Sequence, residues 1–339
     1  MKTAVVICPG RGTYTKSELG YLRRHFKDSV LLARFNDHRS VLRQETLSAL
    51  DDASSYSIAK HTRGDNASAL IYTATLGDFR ALQSVNVIAV TGNSMGWYSA
   101  LVCAGALSAE AGFEVVNTMG TLMQERLIGG QIIYPFVGEN WRPDLAKKAQ
   151  LIALVSDIAG RADHVLTLSI DLGGMLVLAG NEAGLLAFES SVPPVQDRFP
   201  MRLANHAAFH STLQTPVAEA GRARLPATLF SQPKLPLIDG RGAIWWPGAT
   251  DTLALWDYTL GHQITETYDF THAIRIAARE FAPDLFVITG PGTTLGGAVA
   301  QSLILSDWRG VGSKAEFQRY DRNGDGSLDL TEVNALLSE

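Results

Sequence analysis

Val85-Asn86-Val87-Ile88-Ala89-Val90-Thr91-Gly92-Asn93-Ser94-Met95-Gly96-Trp97-Tyr98-Ser99-Ala100-Leu101-Val102 reads as an apolar strand, a G-x-S-x-G turn and the start of a helix. That order is the signature of a nucleophile elbow. Small residues two before and two after Ser94 let the chain reverse sharply enough to expose the hydroxyl. Met95 opens the helix, so its backbone N–H and the helix dipole face negative charge developing beside Ser94. Gly and Ser also make ordinary turns; the flanking strand and helix are what set this one apart.

Working outward, residues 4–8 and 85–90 are apolar strand-like runs separated by helical patterns, which predicts α/β layering over residues 1–128. The texture then changes. Residues 132–137 read as a strand, 143–158 as a helix, 165–170 and 175–179 as two strands joined through Leu172-Gly173-Gly174. A helix at 182–190 and a strand at 199–204 complete a βαββαβ order, the ferredoxin-like split motif, predicted as an inserted subdomain over 129–204. From 205 to 311 the α/β texture returns, with a helix at 268–281 and a strand at 285–289 closed by Gly290-Pro291-Gly292. Residues 312–339 form a tail with its own motif.

The 339 residues are 46% hydrophobic and 19% charged, enough for one large domain with an insertion or for two domains. A net charge of -5 supplies no basic field, which argues against nucleic acid as a partner. No apolar run is long enough to span a bilayer. The opening Met1-Lys2-Thr3-Ala4-Val5-Val6-Ile7-Cys8-Pro9-Gly10 lacks a signal peptide's apolar core and cleavage site, so a cytoplasmic location is expected. Cys8 and Cys103 lie in apolar segments and read as small buried hydrophobes.

Four blocks, in order, carry a resemblance. Residues 92–108, from Gly92-Asn93-Ser94-Met95-Gly96 to Ala106-Leu107-Ser108, are similar to the active-site segment of malonyl-CoA:acyl-carrier-protein transacylases and polyketide synthase acyltransferase domains. Pro9-Gly10-Arg11-Gly12-Thr13 resembles that family's N-terminal P-G-Q-G-S loop, and Ala207-Ala208-Phe209-His210-Ser211 its catalytic-histidine segment. Gly290-Pro291-Gly292-Thr293-Thr294-Leu295 resembles its G-P-G-x-x-L turn. The resemblance implies an α/β-hydrolase-like core with an inserted ferredoxin-like subdomain, in agreement with the order read above. It also implies transfer of an acyl group from acyl-CoA, the substrate, to an acyl carrier protein.

A serine is a weak nucleophile until a base takes its proton, and His210 is the candidate base for Ser94. The resemblance implies that a main-chain carbonyl, matched by Gln263, orients this histidine, and that the N–H groups of Arg11 and Met95 hold the oxyanion. His206 and His210 are four apart, but the glutamate of a zinc motif is absent and no third ligand is evident, so no catalytic metal is expected. Acyl specificity is assigned to Met119 and Phe209. In the malonyl enzymes an arginine pairs with the malonyl carboxylate; Met119 stands at that place, and a buried carboxylate without a partner is costly. The expected acyl group is therefore uncharged, acetyl or longer, unless Arg11 takes over the arginine's role. Asn93 and Trp97 also depart from the family, replacing a histidine before the serine and a glutamate after it. A hydrolase using the same two residues, and a non-catalytic calcium-responsive docking module on a degenerate acyltransferase fold, stay open as alternatives. A Ser-Asp lipase of the patatin type is disfavoured, because Asp171 is followed by Leu172 and not by glycine.

Near the C-terminus, Asp321-Arg322-Asn323-Gly324-Asp325-Gly326-Ser327-Leu328-Asp329-Leu330-Thr331-Glu332 fits a twelve-residue EF-hand loop. Asp321, Asn323, Asp325, Asp329 and Glu332 supply side-chain oxygens, Ser327 a backbone carbonyl, and Gly326 the sharp turn. Ca²⁺ is the expected ion, in a structural or regulatory role. A single EF-hand leaves its apolar faces unpaired, so self-association or partner docking through this tail is also expected.

Overall fold

Ala4-Val5-Val6-Ile7-Cys8 is buried without a break, as a central strand covered on both faces must be. In the computed structural model, which describes residues 1–322, this run lies in the first of ten strands. They are β1 (Lys2–Cys8), β2 (Val85–Gly92), β3 (Gly130–Pro135), β4 (Leu166–Leu172) and β5 (Met175–Gly180). Then come β6 (Met201–Arg202), β7 (Leu237–Ile238), β8 (Ile244–Trp245), β9 (Tyr268–Asp269) and β10 (Leu285–Ile288).

The core sheet has the order β10-β1-β2-β7-β8. Its first four strands are parallel, and β8 folds back antiparallel on β7. Register decides where the loops gather. Cys8 pairs with Gly92 and Ile7 with Ile288, so the loops after β1, β2 and β10 leave the sheet side by side at its carboxyl edge. Parallel α/β sheets present their ligand sites at that edge. Helices Gly64–Ala81, Ala109–Arg126, Phe270–Glu280 and Gly296–Leu305 supply the covering apolar faces.

The second sheet has the order β6-β3-β5-β4-β9. Within the insert the four strands pair antiparallel, in the sequence fourth, first, third, second, with helices Leu145–Ala159 and Glu182–Ser191 between them. This is the ferredoxin-like arrangement on an α/β core. The strand expected at 199–204 shrinks to Met201–Arg202, because Pro200 has no N–H to give a ladder. The helix expected from 268 begins instead at Phe270. Tyr268 and Asp269 are drawn off to pair in parallel with Ile170 and Asp171, which stitches the core onto the edge of the insert's sheet. The Asp171 carboxylate takes the Lys148 ammonium and the Thr271 hydroxyl at this seam.

Among the described residues no helix is long and apolar enough to cross a membrane. The helix Lys314–Arg322 ends the described chain. Of the expected calcium ligands, Asp321 falls in its last turn, and Asn323, Asp325, Ser327, Asp329 and Glu332 lie outside the described residues. Among the described residues no cluster of His, Cys, Asp or Glu is arranged to hold a metal.

Candidate active site

β2 stops at Gly92, and the helix Gly96–Cys103 begins four residues later. To turn in that space Ser94 adopts φ 55°, the left-handed region that non-glycine residues avoid. A Cβ on Gly92 would overlap the Gly96 carbonyl, and one on Gly96 would overlap the Cys8 carbonyl at the end of β1. Both glycines are therefore dictated by backbone approach. The turn is tied by Asn93 N–H to the Cys8 carbonyl at 3.0 Å and by Gly96 N–H to the Asn93 carbonyl at 2.8 Å.

His210 lies 2.7 Å from Ser94, Nε2 to Oγ. Its Nδ1 is 2.6 Å from the Gln263 carbonyl oxygen. A carbonyl can only accept, so Nδ1 carries the proton and Nε2 is left bare toward the serine hydroxyl. Burial lowers the His210 pKa to about 4, with the Gln263 carbonyl partly opposing that shift. The ring is neutral at physiological pH and free to take a proton. The Gln263 side chain completes the unit: its Nε2 donates to the Ser94 carbonyl at 3.0 Å and its Oε1 accepts from Tyr98 at 3.2 Å. Tyr268 donates its hydroxyl to the Gly92 carbonyl at 2.5 Å while its ring lies 5.4 Å from that of His210. The structure brings together Ser94, His210 and Gln263, which the sequence reading named, with Tyr98 and Tyr268, which it did not. Only the aromatic character of Tyr268, in the segment shared with Gln263, hinted at a role.

The backbone N–H groups of Arg11 and Met95 make no hydrogen bond among the described residues. They belong to the loop after β1 and to the N-terminus of the helix after Ser94, the two elements the β1–β2 register brings together.

Two spaces open on Ser94. The tighter, about 20 Å³, is lined by Arg11, Met95, Tyr98, Val116, Met123 and Phe209 among others. Met119 is not in its wall. Its side chain packs against Gly221, where an added Cβ would lie 2.7 Å from the sulfur. The helix Ala109–Arg126 turns Val116, Gly120 and Met123 to the cavity instead, one step round from Met119. This placement corrects the expectation that Met119 contacts the acyl group; Phe209, the other specificity candidate, does line the cavity. Arg11 also faces it. The Arg11 guanidinium lies 5.2 Å from the Phe209 ring and donates through Nη2 to the carbonyls of Thr62 and Asn205, at 2.8 and 2.9 Å. Its Nε is buried with no partner, and no carboxylate among the described residues is in ion-pair contact with it. Burial lowers its pKa to about 10, so it remains a cation at neutral pH.

The second space is a cleft of about 250 Å³ between the core loops and the insert's sheet. Ile133, Ile170, Leu172, Met175 and Val177 make its insert wall, and Leu295 and Ala298 part of its core wall. Arg11 and Ser94 border both spaces. A carbon bound to Ser94 Oγ would thus border a small compartment and a larger one.

Comparison with known proteins agrees with this layout. No protein-family model matches the chain. The malonyl CoA-acyl carrier protein transacylase of Salmonella typhimurium is 23% identical over 208 residues, 61% of this chain and 63% of that protein. The Bacillus subtilis protein of the same name is 27% identical over 211 residues, 61% of this chain and 62% of that protein. In both cases the match spans less than two thirds of the relative's own length. The structure of malonyl-CoA:acyl carrier protein transacylase from Xanthomonas oryzae superposes with a TM-score of 0.73 at 20% identity, covering 89% of this chain and 92% of that one. The fold is that of the malonyl-CoA:acyl-carrier-protein transacylases. A second structure with this transacylase fold, a type II polyketide synthase acyl-carrier protein in complex with its malonyl-transacylase, gives a TM-score of 0.71 at 19% identity over 96% of this chain and 100% of that one.

Proposed function

We propose that this chain is a serine acyltransferase that moves a short acyl group from a CoA thioester to the phosphopantetheine thiol of an acyl carrier protein. The observation that carries the reading is the line Ser94 Oγ, His210 Nε2, His210 Nδ1, Gln263 carbonyl, with contacts of 2.7 and 2.6 Å. Such a line is what serine needs to attack a thioester near neutral pH. The Ser94 proton passes to His210 Nε2 as Oγ bonds to the thioester carbon. The resulting oxyanion is received by the Arg11 and Met95 N–H groups, which need no reorganisation as charge builds. Collapse breaks the C–S bond, and the departing thiolate takes the proton from His210. The carrier's thiol then reverses the sequence: it gives its proton to His210, attacks the ester, and Ser94 leaves with that proton.

The acyl group belongs in the tighter space. The small volume of this space, about 20 Å³ against about 250 Å³ for the cleft, favours a short acyl group over a long chain. The unpartnered Nε of Arg11, a residue that lines the same space as Ser94, favours an acyl group ending in a carboxylate, because a buried guanidinium lacks only an anion there. A malonyl group meets both conditions. With Met119 turned away, the argument for an uncharged group loses its footing. Calcium at the motif 321–332 is a separate, non-catalytic part of this reading.

The test is intact-mass spectrometry after incubation with malonyl-CoA. The unmodified chain should gain one malonyl increment, and Ser94→Ala should gain none. Adding a phosphopantetheinylated carrier protein should discharge the increment onto the carrier faster than free malonate appears; faster release of the free acid would make the chain a hydrolase.

A further inference from the structure

A guanidinium at the end of a long side chain discriminates between two acyl ends best where it is already held still, because ordering it on binding costs free energy. Two backbone carbonyls hold that of Arg11. Its Nη2 donates to Thr62 at 2.8 Å and to Asn205 at 2.9 Å, which uses both hydrogens of that nitrogen and leaves the buried Nε without a partner. Thr62 ends the short helix Ile58–His61, and Asn205 lies in the turn between β6 and the segment that carries His210. The two are 143 positions apart in the chain. Neither is in the wall of the spaces that open on Ser94, so neither meets the acyl group itself.

Their side chains tie the two segments together. Asn205 Nδ2 donates to Thr62 Oγ1 at 2.6 Å. Thr62 Oγ1 gives its own proton to the Ile58 carbonyl at 2.8 Å, so only its lone pairs face Asn205, and the amide turns its nitrogen that way. Asn205 stands at φ 57°, a left-handed conformation that asparagine takes more readily than most residues with a side chain. From that twist its carbonyl reaches Arg11 while its amide reaches Thr62. Behind Thr62 the buried His61 pins the short helix. Its Nε2 lies 3.1 Å from the Leu50 carbonyl and so carries the proton, and its Nδ1 accepts from Ser57 N–H at 3.0 Å. We propose that Thr62 and Asn205 are positioning residues for acyl selectivity: their side-chain bond holds the two carbonyls that grip Arg11, and so fixes its open Nε for the acyl end. The proposal rests on the reading that Arg11 pairs with an acyl carboxylate and adds to it the parts that hold the guanidinium in place.

In the experiment malonyl-CoA and acetyl-CoA compete for Ser94, and the ratio of the two mass increments is read in the full chain and in its variants. Thr62→Val keeps the shape of the side chain and both carbonyls but removes the hydroxyl. Asn205→Gly suits the left-handed backbone but removes the amide. Each should lower the malonyl-to-acetyl ratio by about fivefold, the size of one neutral hydrogen bond. Thr62→Ser, which keeps the hydroxyl, should keep the parent ratio. Because the effect runs through the guanidinium, Thr62→Val added to Arg11→Met should change the ratio no further. A merely structural role would slow both donors together, so a folded variant of either kind with the parent ratio would overturn the grip. A further fall of the ratio in the Arg11→Met background would overturn it as well. In both cases a ratio lowered by Arg11→Met alone leaves the carboxylate reading standing. If Arg11→Met does not move the ratio, or if neither donor loads the unmodified chain, that reading fails and the grip falls with it.

Discussion

At the scale of single residues, the decisive fact is that His210 is neutral because it is buried. Its pKa, about 4, lies below the ordinary histidine value of 6.5. Acylation of Ser94 needs the unprotonated ring, so kcat/KM for thioester attack should stay level from pH 8 down to about 5.5 and fall as pH drops through about 4. A solvent-exposed histidine would begin to fail near pH 6.5. The same shift acts on stability. The unfolded chain takes up this proton first as pH falls, so the contribution present above 6.5 is lost on the way down through about 4. A pH series of acyl-enzyme formation in rapid quench checks the first effect, and urea unfolding at each pH the second. Arg11 offers a separate handle, because the group proposed to hold the oxyanion is its backbone N–H, which a change of side chain leaves in place. Arg11→Met should cut malonyl loading relative to acetyl loading by about tenfold or more, the worth of a charged hydrogen bond. An unchanged ratio, read by mass from competing CoA thioesters, would return the carboxylate question to the rest of the pocket.

At the scale of elements, the elbow was legible in the sequence because everything that makes it is local: an apolar strand, two glycines, a serine and a helix in eighteen residues. The insert was legible for the same reason, its strands and helices alternating at clear periods. What escaped was set by long-range packing. The Gln263 carbonyl, 53 positions from the histidine it meets, entered only through the resemblance, and no pattern within residues 262–268 announces that Tyr268 and Asp269 will leave a helix to pair with β4. Met119 was assigned to the acyl group from the position of an arginine in the resembling family, and a matched position does not tell which way a helix face is turned once the helix docks. Gly96 tests the local part. A methyl group there meets the Cys8 and Pro9 carbonyls, both backbone, so neither can swing aside. Gly96→Ala should therefore destabilise the chain by about 2 kcal/mol or more and slow acylation even where the protein still folds, since the elbow must open away from β1. Thermal unfolding and the mass assay report the two effects separately. A variant with the parent's melting temperature and rate would mean that the elbow tolerates a wider turn than its contacts imply.

At the scale of the whole molecule, two sheets meet at a cleft, and the end of the described chain is clamped to the insert. The helix Lys314–Arg322 follows the core helix Gly296–Leu305, yet it binds the loop after β3. Lys314 donates its backbone N–H to the Asn140 carbonyl at 2.9 Å, its ammonium lies 4.9 Å from the Trp141 ring, and the buried Phe317 meets the same ring edge-on at 6.4 Å. That helix leads directly into the motif Asp321 to Glu332, which offers four carboxylates, an amide and a backbone carbonyl at EF-hand spacing. Ion binding there would act next to a helix whose apolar residue Phe317 already rests on Trp141. The full-length protein should thus bind one Ca²⁺ per chain in calorimetry, and Glu332→Gln, which removes the bidentate carboxylate, should weaken binding strongly. Because Trp141 touches the helix, calcium should also change tryptophan emission, and Trp141→Phe should abolish most of that change while leaving the heat of binding. Acylation of Ser94 should proceed with or without the metal, since no step in the Ser94–His210 chemistry draws on it. Absence of binding heat even at about millimolar calcium, the weak limit for such loops, would reduce residues 321–332 to an acidic turn. Calcium heat without a Trp141 signal would separate the ion from the clamp.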